Sequence, residues 1–155
     1  MVSPNEKSKV LNLCSFPVSW ERSTLAGDEY LKSHASTYIA NSEIQTQIEN
    51  GNKFIGGIDG NGSHADVYID NAELREQYGF DNKTENKKQL IIDDEKCEYI
   101  LGLKTLSAFK KNLESNIVTV SEKMKIMEFA RKNKLNEFDK VEALEEYTGL
   151  KYKPE

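Results

Sequence analysis

The chain has 155 residues, 37% of them hydrophobic and 30% charged, with a net charge of −5 and a mean hydropathy of −0.67. Residues 1–92 carry 9 basic and 13 acidic side chains and residues 93–155 carry 12 and 13, so neither part offers a broad phosphate-neutralising face and no direct nucleic-acid partner is expected. The length suits one domain, or one domain with a small appendage, but the apolar content is lean for a single globule, which predicts a small core or an arm that depends on a neighbour for burial.

Residues 1–9 (MVSPNEKSK) are polar and are expected to be mobile or ordered by a partner. They show no basic segment followed by an apolar run, so export is not expected. From Val10 onward Leu11 and Leu13 alternate with polar residues, and Phe16, Val18 and Trp20 do the same across Pro17 and Ser19. Period-two alternation predicts extended chain, and Pro17 bars a central strand, so an edge strand or arm is expected over residues 1–40. Trp20 is the only tryptophan and a candidate anchor. Cys14 and Cys97 belong to no motif, and are read as core or boundary thiols of a reducing compartment.

TLAGDEYL and STYIAN read as two short strands, separated by KSHAS. NSEIQTQIENG reads as a helix capped by Ser42, with Gln45 as capping-box partner and Gly51 as the stop. KFIGGI and HADVYI flank DGNGS and predict a β-hairpin, with Ala65, Val67 and Ile69 on one face and His64, Asp66 and Tyr68 on the other. Asn71 caps a short helix over AELREQYG, and the polar stretch 81–88 is the candidate domain boundary. QLIID is a possible further strand.

The remainder is helical. Asp93 or Asp94 opens a long helix to about Glu114, with Cys97, Ile100, Leu101, Leu106, Phe109 and Leu113 along one stripe and Gly102 as a soft spot. Thr119 and Glu122 form a capping box for a helix lined by Ile126, Met127 and Ala130. Asn136 caps a last helix with Phe138, Val141, Leu144 and Tyr147 inward, stopped by Gly149. The expected fold is α+β: an arm and edge strands over 1–40, a small α/β-hairpin part over 41–92, a three-helix bundle over 93–150, and a tail at 151–155. The longest apolar runs are a few residues, too short to span a membrane.

The glycine-rich stretch IGGIDGNGSHADVYID is the richest in site-like residues. Asp59, Asn61, Ser63 and Asp70 fall at positions one, three, five and twelve of a calcium loop, oxygen ligands of the kind a hard cation needs. His64 stands where that loop wants glycine, and the flanks alternate like strands, so a plain hairpin with no metal or other cofactor is the preferred reading. His64 with Asp66 or Asp70 could serve a small hydrolase, but no nucleophile is marked out, His34 is the only other histidine, and a surface histidine is preferred. The glycine spacing matches no phosphate-binding loop. ARKNK, at a helix end, is better suited to the helix dipole than to phosphate.

Together LAGDEY, GIDGNGSHADVYID, LKTLSAFKKNLESNIVT, EKMKIMEFARK and EALEEYTGL give most of residues 10–150 a texture that resembles small accessory virion proteins of tailed bacteriophages, which decorate or stabilise the head shell. The resemblance implies a non-enzymatic structural role, many copies in a symmetric assembly, and a major capsid protein or other virion protein as partner. It places the chain in the virion, and in the bacterial host cytoplasm during assembly. It transfers no site residues. From the residues themselves, Leu11, Leu13, Phe16, Val18 and Trp20 are the candidate partner-binding set, because large side chains on an arm gain burial by lying across a neighbour. The rival readings are an inhibitor or host-takeover protein whose acidic face at 59–81 mimics nucleic acid, and the His64 hydrolase.

Overall fold

A computed structural model describes residues 2–153. The protein is mixed α+β and divides into two compact units, residues 1–91 and 92–155. In chain order the first unit holds β1 (Lys7–Asn12), β2 (Val18–Glu21), β3 (Asp28–Leu31), β4 (Ser36–Ala40), α1 (Asn41–Glu49), α2 (Lys53–Gly56), β5 (Val67–Asp70) and α3 (Ala72–Gln77). The second holds α4 (Asp94–Leu101), α5 (Leu106–Asn116), α6 (Val120–Lys132) and α7 (Phe138–Thr148).

β1 is the middle strand of a three-stranded antiparallel sheet ordered β4-β1-β5, while β2 and β3 pair separately. The expected arm is therefore the heart of the sheet. Pro17 does not prevent this, because β1 ends at Asn12 and β2 begins just after the proline. The inward face is also the opposite of the one Leu11 and Leu13 suggest: Ser8, Val10, Asn12 and Cys14 are buried, and Leu11 and Leu13 are half-buried. Asn12 can sit inside because its polar atoms are satisfied. Its Nδ2 donates to the carbonyls of Phe16, Leu31 and Lys32, and its Oδ1 accepts from the Cys14 N–H at 2.8 Å.

The segment before β1 is pinned. The Asn41 and Ser42 N–H groups, orphan donors at the start of α1, donate to the carbonyls of Glu6 (2.8 Å) and Pro4 (3.1 Å). Asn41 Nδ2 donates to Ser3 O. Residues 2–6 thus do the work expected of Ser42, and the N-cap position is Ala40. Met1 lies outside the described residues. Ile44, Ile55, Val67, Ile69, Leu74 and Phe80 close the core around Val10.

The expected hairpin over 53–70 is absent. KFIG forms α2, whose cap Asn52 accepts from the Phe54 N–H, and only Val67–Asp70 is strand, paired to β1. The inward face of Ala65, Val67 and Ile69 is as expected. The polar stretch 81–88, the candidate domain boundary, lies within the first unit, whose division from the second falls between residues 91 and 92. Asn82 and Lys87 bridge each other, and Asp81 fastens both flanks, pairing with Arg75 and accepting from the Gln89 N–H. QLIID forms no strand.

The second unit contains four helices where a three-helix bundle was expected. The stripe from Cys97 to Leu113 is broken between α4 and α5, because Thr105 caps a new helix by accepting from the Ala108 N–H. Leu106, on the turn after that break, is exposed. Asp93 and the Thr119–Glu122 capping box act as expected. Asn136 does not: α7 begins at Phe138 after Glu137, and Phe138 is exposed. Ile100, Phe109, Leu113, Ile126, Met127 and Leu144 form the core. Lys140, itself buried, donates through Nζ to Leu101 O at the end of α4, and the Tyr147 hydroxyl donates to Ile117 O at 2.6 Å. In the tail, Tyr152 is held by its hydroxyl to Leu135 O and by Arg131 Nε to its carbonyl; residues 154–155 lie outside the described residues.

Candidate functional site

The glycine-rich loop folds onto itself. The Ile58 N–H donates to Ser63 O and the Gly62 N–H to Gly56 O at 2.7 Å. Gly57 has φ +76° and ψ −170°, a region open to glycine alone, and a Cβ there would stand 2.2 Å from Ser63 O. Asp59 Oδ1 accepts from the backbone N–H groups of Asn61 (2.8 Å) and Ser63 (3.2 Å). Partial burial opposes ionisation of Asp59, but the Ser63 hydroxyl and these N–H groups outweigh it and hold the carboxyl below its ordinary value. Of the four calcium-loop candidates, Asp59, Asn61 and Ser63 do meet, but N–H donors face the carboxylate. Asp70 sits apart at the end of β5, opposite Lys9. Among the described residues no group of three or more His, Cys, Asp or Glu side chains is arranged to hold a metal ion.

His64 is not the surface strand residue expected. It lies in a turn at φ +59°, is buried, and its N–H donates to Leu90 O at 2.8 Å. The strand begins only at Val67, so His64 and Asp66 do not share a strand face.

The partner-binding candidates are dispersed. Val18 is core; Leu11, Leu13 and Phe16 are half-buried. Trp20 stacks on Phe54, with ring centroids 6.1 Å apart and planes inclined by 30°. Beside this pair lies an open groove of about 410 Å³, reached also by Glu21, Asn50, Lys53 and Asp66. The groove is built from the end of β2, the end of α1 and the start of α2. Asn52 fixes it: its Oδ1 accepts from the Phe54 N–H and its Nδ2 donates to Gln47 Oε1, both at 2.9 Å.

Next to the groove, Glu43 of α1 ties down the β2–β3 connection. It accepts from the N–H groups of Ser23 and Thr24, from the Thr24 hydroxyl and from Gln47 Nε2, at 2.7 to 3.0 Å. Gln47 Nε2 also donates to Glu21 O. Burial raises the Glu43 pKa, but the hydrogen bonds from Thr24, Ser23 and Gln47 prevail and bring it down to about 2. This carboxylate is buried, fully hydrogen-bonded and structural.

Sequence reasoning found Trp20 but missed Phe54, Asn50 and Lys53, since the groove forms only when residues thirty positions apart are folded together. The local signal was Asn52 directly after Asn50-Gly51, a second helix start on the heels of a helix stop. Comparison with family models, with curated proteins and with solved structures finds no match.

Proposed function

We propose that the protein is a structural, protein-binding component, an auxiliary capsid protein that stabilises or decorates a bacteriophage head by contacting the major capsid protein in many symmetric copies. The observation that carries this reading is the outer strand β4. Among the described residues it has a neighbour on one side only, and Tyr38 at its centre is 64% exposed. An edge strand of this kind offers main-chain groups for pairing with a neighbouring chain, and an aromatic side chain to anchor it. Tyr30 on β3 and Leu25 beyond β2 add further exposed apolar surface in the same unit. The polar interior side chains Asn12, Glu43 and Gln47 are spent on internal hydrogen bonds, in keeping with a scaffold. The resemblance to head-associated virion proteins supplies the class of partner.

The test is cosedimentation of the purified protein with assembled head shells of the phage that encodes it, with protein counting in purified virions. Expected are saturation at a copy number set by shell symmetry, and at least about tenfold weaker attachment for Tyr38→Ala, equivalent to ~1.4 kcal/mol, with an unchanged melting temperature. A stoichiometric complex with a host enzyme and no attachment to shells would overturn the proposal in favour of an inhibitor.

A further inference from the structure

We propose that the groove beside Trp20 and Phe54 binds a neutral oligosaccharide of about two to three sugar rings, a size in keeping with a pocket at the lower end of the usual ligand range. The proposal stands apart from shell attachment, since it concerns different residues, at the ends of β2 and α1 and the start of α2, and a different chemistry.

Four features of the groove converge. The first is an aromatic platform. Trp20 and Phe54 are both half-buried, stacked 6.1 Å apart and open to the groove. Flat apolar rings match the C–H faces of a pyranose, which are apolar although its rim is hydroxylated. The second is a rim of unspent hydrogen-bonding groups. Among the described residues none accepts from the Trp20 indole N–H, and none is bonded to the side chains of Asn50, Lys53 or Glu21. These four supply two N–H donor types, an amide that both donates and accepts, and a carboxylate acceptor. Vicinal hydroxyls, each donor and acceptor at once, need such a mixture. The third feature is rigidity. The Asn52 bonds to the Phe54 backbone and Gln47 fix the Phe54 side of the groove before any ligand arrives, so less ordering entropy remains to be lost. The fourth is charge. Glu21 stands beside Lys53, so the rim carries no net positive charge to draw phosphates or other anions, and a stacked nucleotide is disfavoured relative to an uncharged ring.

An extended peptide fits less well. A peptide adding to a strand needs a free edge, and at this end of β2 the Glu21 carbonyl is already taken by Gln47 Nε2 at 2.9 Å.

Because Trp20 is the only tryptophan, tryptophan emission reports on its surroundings at the groove. The full-length protein is titrated with maltotriose, cellotriose and triacetylchitotriose. The expected result is a saturable change in emission with at least one of them, with a Kd of ~1 mM, and about tenfold weaker binding for both Asn50→Ala and Lys53→Ala at unchanged melting temperature. These two side chains are exposed or make no side-chain bond, so the variants keep the test independent of Trp20→Ala, which risks the fold. Silence with all three sugars overturns the proposal. So does binding that both variants leave intact, or an emission change produced only by a protein partner such as head shells.

Discussion

Glu43 is the residue that holds the β2–β3 connection in place. One carboxylate gathers two backbone N–H groups, a hydroxyl and an amide, and so fixes the β2–β3 connection to α1. Its pKa falls from 4.5 to about 2 on folding, because the bonds to the ionised form outweigh the cost of burial. The sign follows: the unfolded chain binds the proton more tightly, so the contribution is complete above about pH 4.5 and is lost as pH falls through about 2. Glu43→Gln should cost about 2 kcal/mol at pH 7, and the difference from the parent should shrink as acid unfolding is followed from pH 5 down to pH 2. A pH-independent difference would show that the charge is not what holds the loop. Cys97 gives the opposite sign. Burial, only partly offset by the nearby Lys125, pushes its thiol up to about 12 from 9.0. The folded protein should therefore resist thiol alkylation at Cys97 at pH 8. Its stability should fall as pH rises past 9.0, where only the unfolded thiol ionises readily. Mass spectrometry after iodoacetamide treatment, with and without denaturant, reads this directly.

At the scale of elements, what the sequence made legible is what is local. Asn71, Asp93 and the Thr119–Glu122 pair each cap the helix they precede, because a cap needs only the three residues that follow it. Thr119→Ala should cost about 1 kcal/mol, measurable as a drop in the urea midpoint at constant m. Two of the misreadings involve distant partners. Ser42 yields its role to the carbonyls of Pro4 and Glu6, and Asn12 is buried only because Phe16, Leu31 and Lys32 accept from it. The break between α4 and α5 was visible as Gly102, but Thr105 as a fresh cap was not separated from the stripe around it. The supposed hairpin failed for a related reason. Period-two alternation from Ala65 to Ile69 is real, whereas the glycines before it close a loop on itself rather than joining two paired strands. Gly57 decides that loop. Gly57→Ala would meet Ser63 O at 2.2 Å in a backbone region barred to side chains, and should cost about 3 kcal/mol or more. Gly60→Ala, with open space at its Cβ, should be milder, and the pair of melting curves distinguishes closure of the loop from mere glycine content.

For the molecule as a whole, the lean composition predicted either a small core or an arm awaiting a neighbour. The stretch expected to be an arm supplies β1 to β4, which pair into sheets, and the chain forms two compact units, each with its own small core. Two small units expose more surface per residue than one globule of the same mass, so each needs fewer apolar residues in proportion. The candidate site was legible to the same extent: Trp20 stands out by being unique, while the groove around it depends on α1 and α2 being brought to β2. If each unit is closed by its own core, each should fold without the other. Residues 92–155 expressed alone should give helical circular dichroism and a single cooperative melt. Ile92, Cys97, Ile100, Phe109, Leu113, Ile126, Met127 and Leu144 are buried in one cluster, and Lys140 and Tyr147 donate to the Leu101 and Ile117 carbonyls from within the same unit. A domain of roughly 60 residues is marginal, so its midpoint should be low but the transition cooperative. Residues 1–91 alone should keep the Trp20 emission of the full chain, since Phe54, Glu43 and the N-terminal cap of α1 all lie within it. A helical fragment that melts without cooperativity, or a shifted tryptophan spectrum in the other, would mean that one core is completed by the second unit and that the division at residues 91 and 92 is not a division of stability.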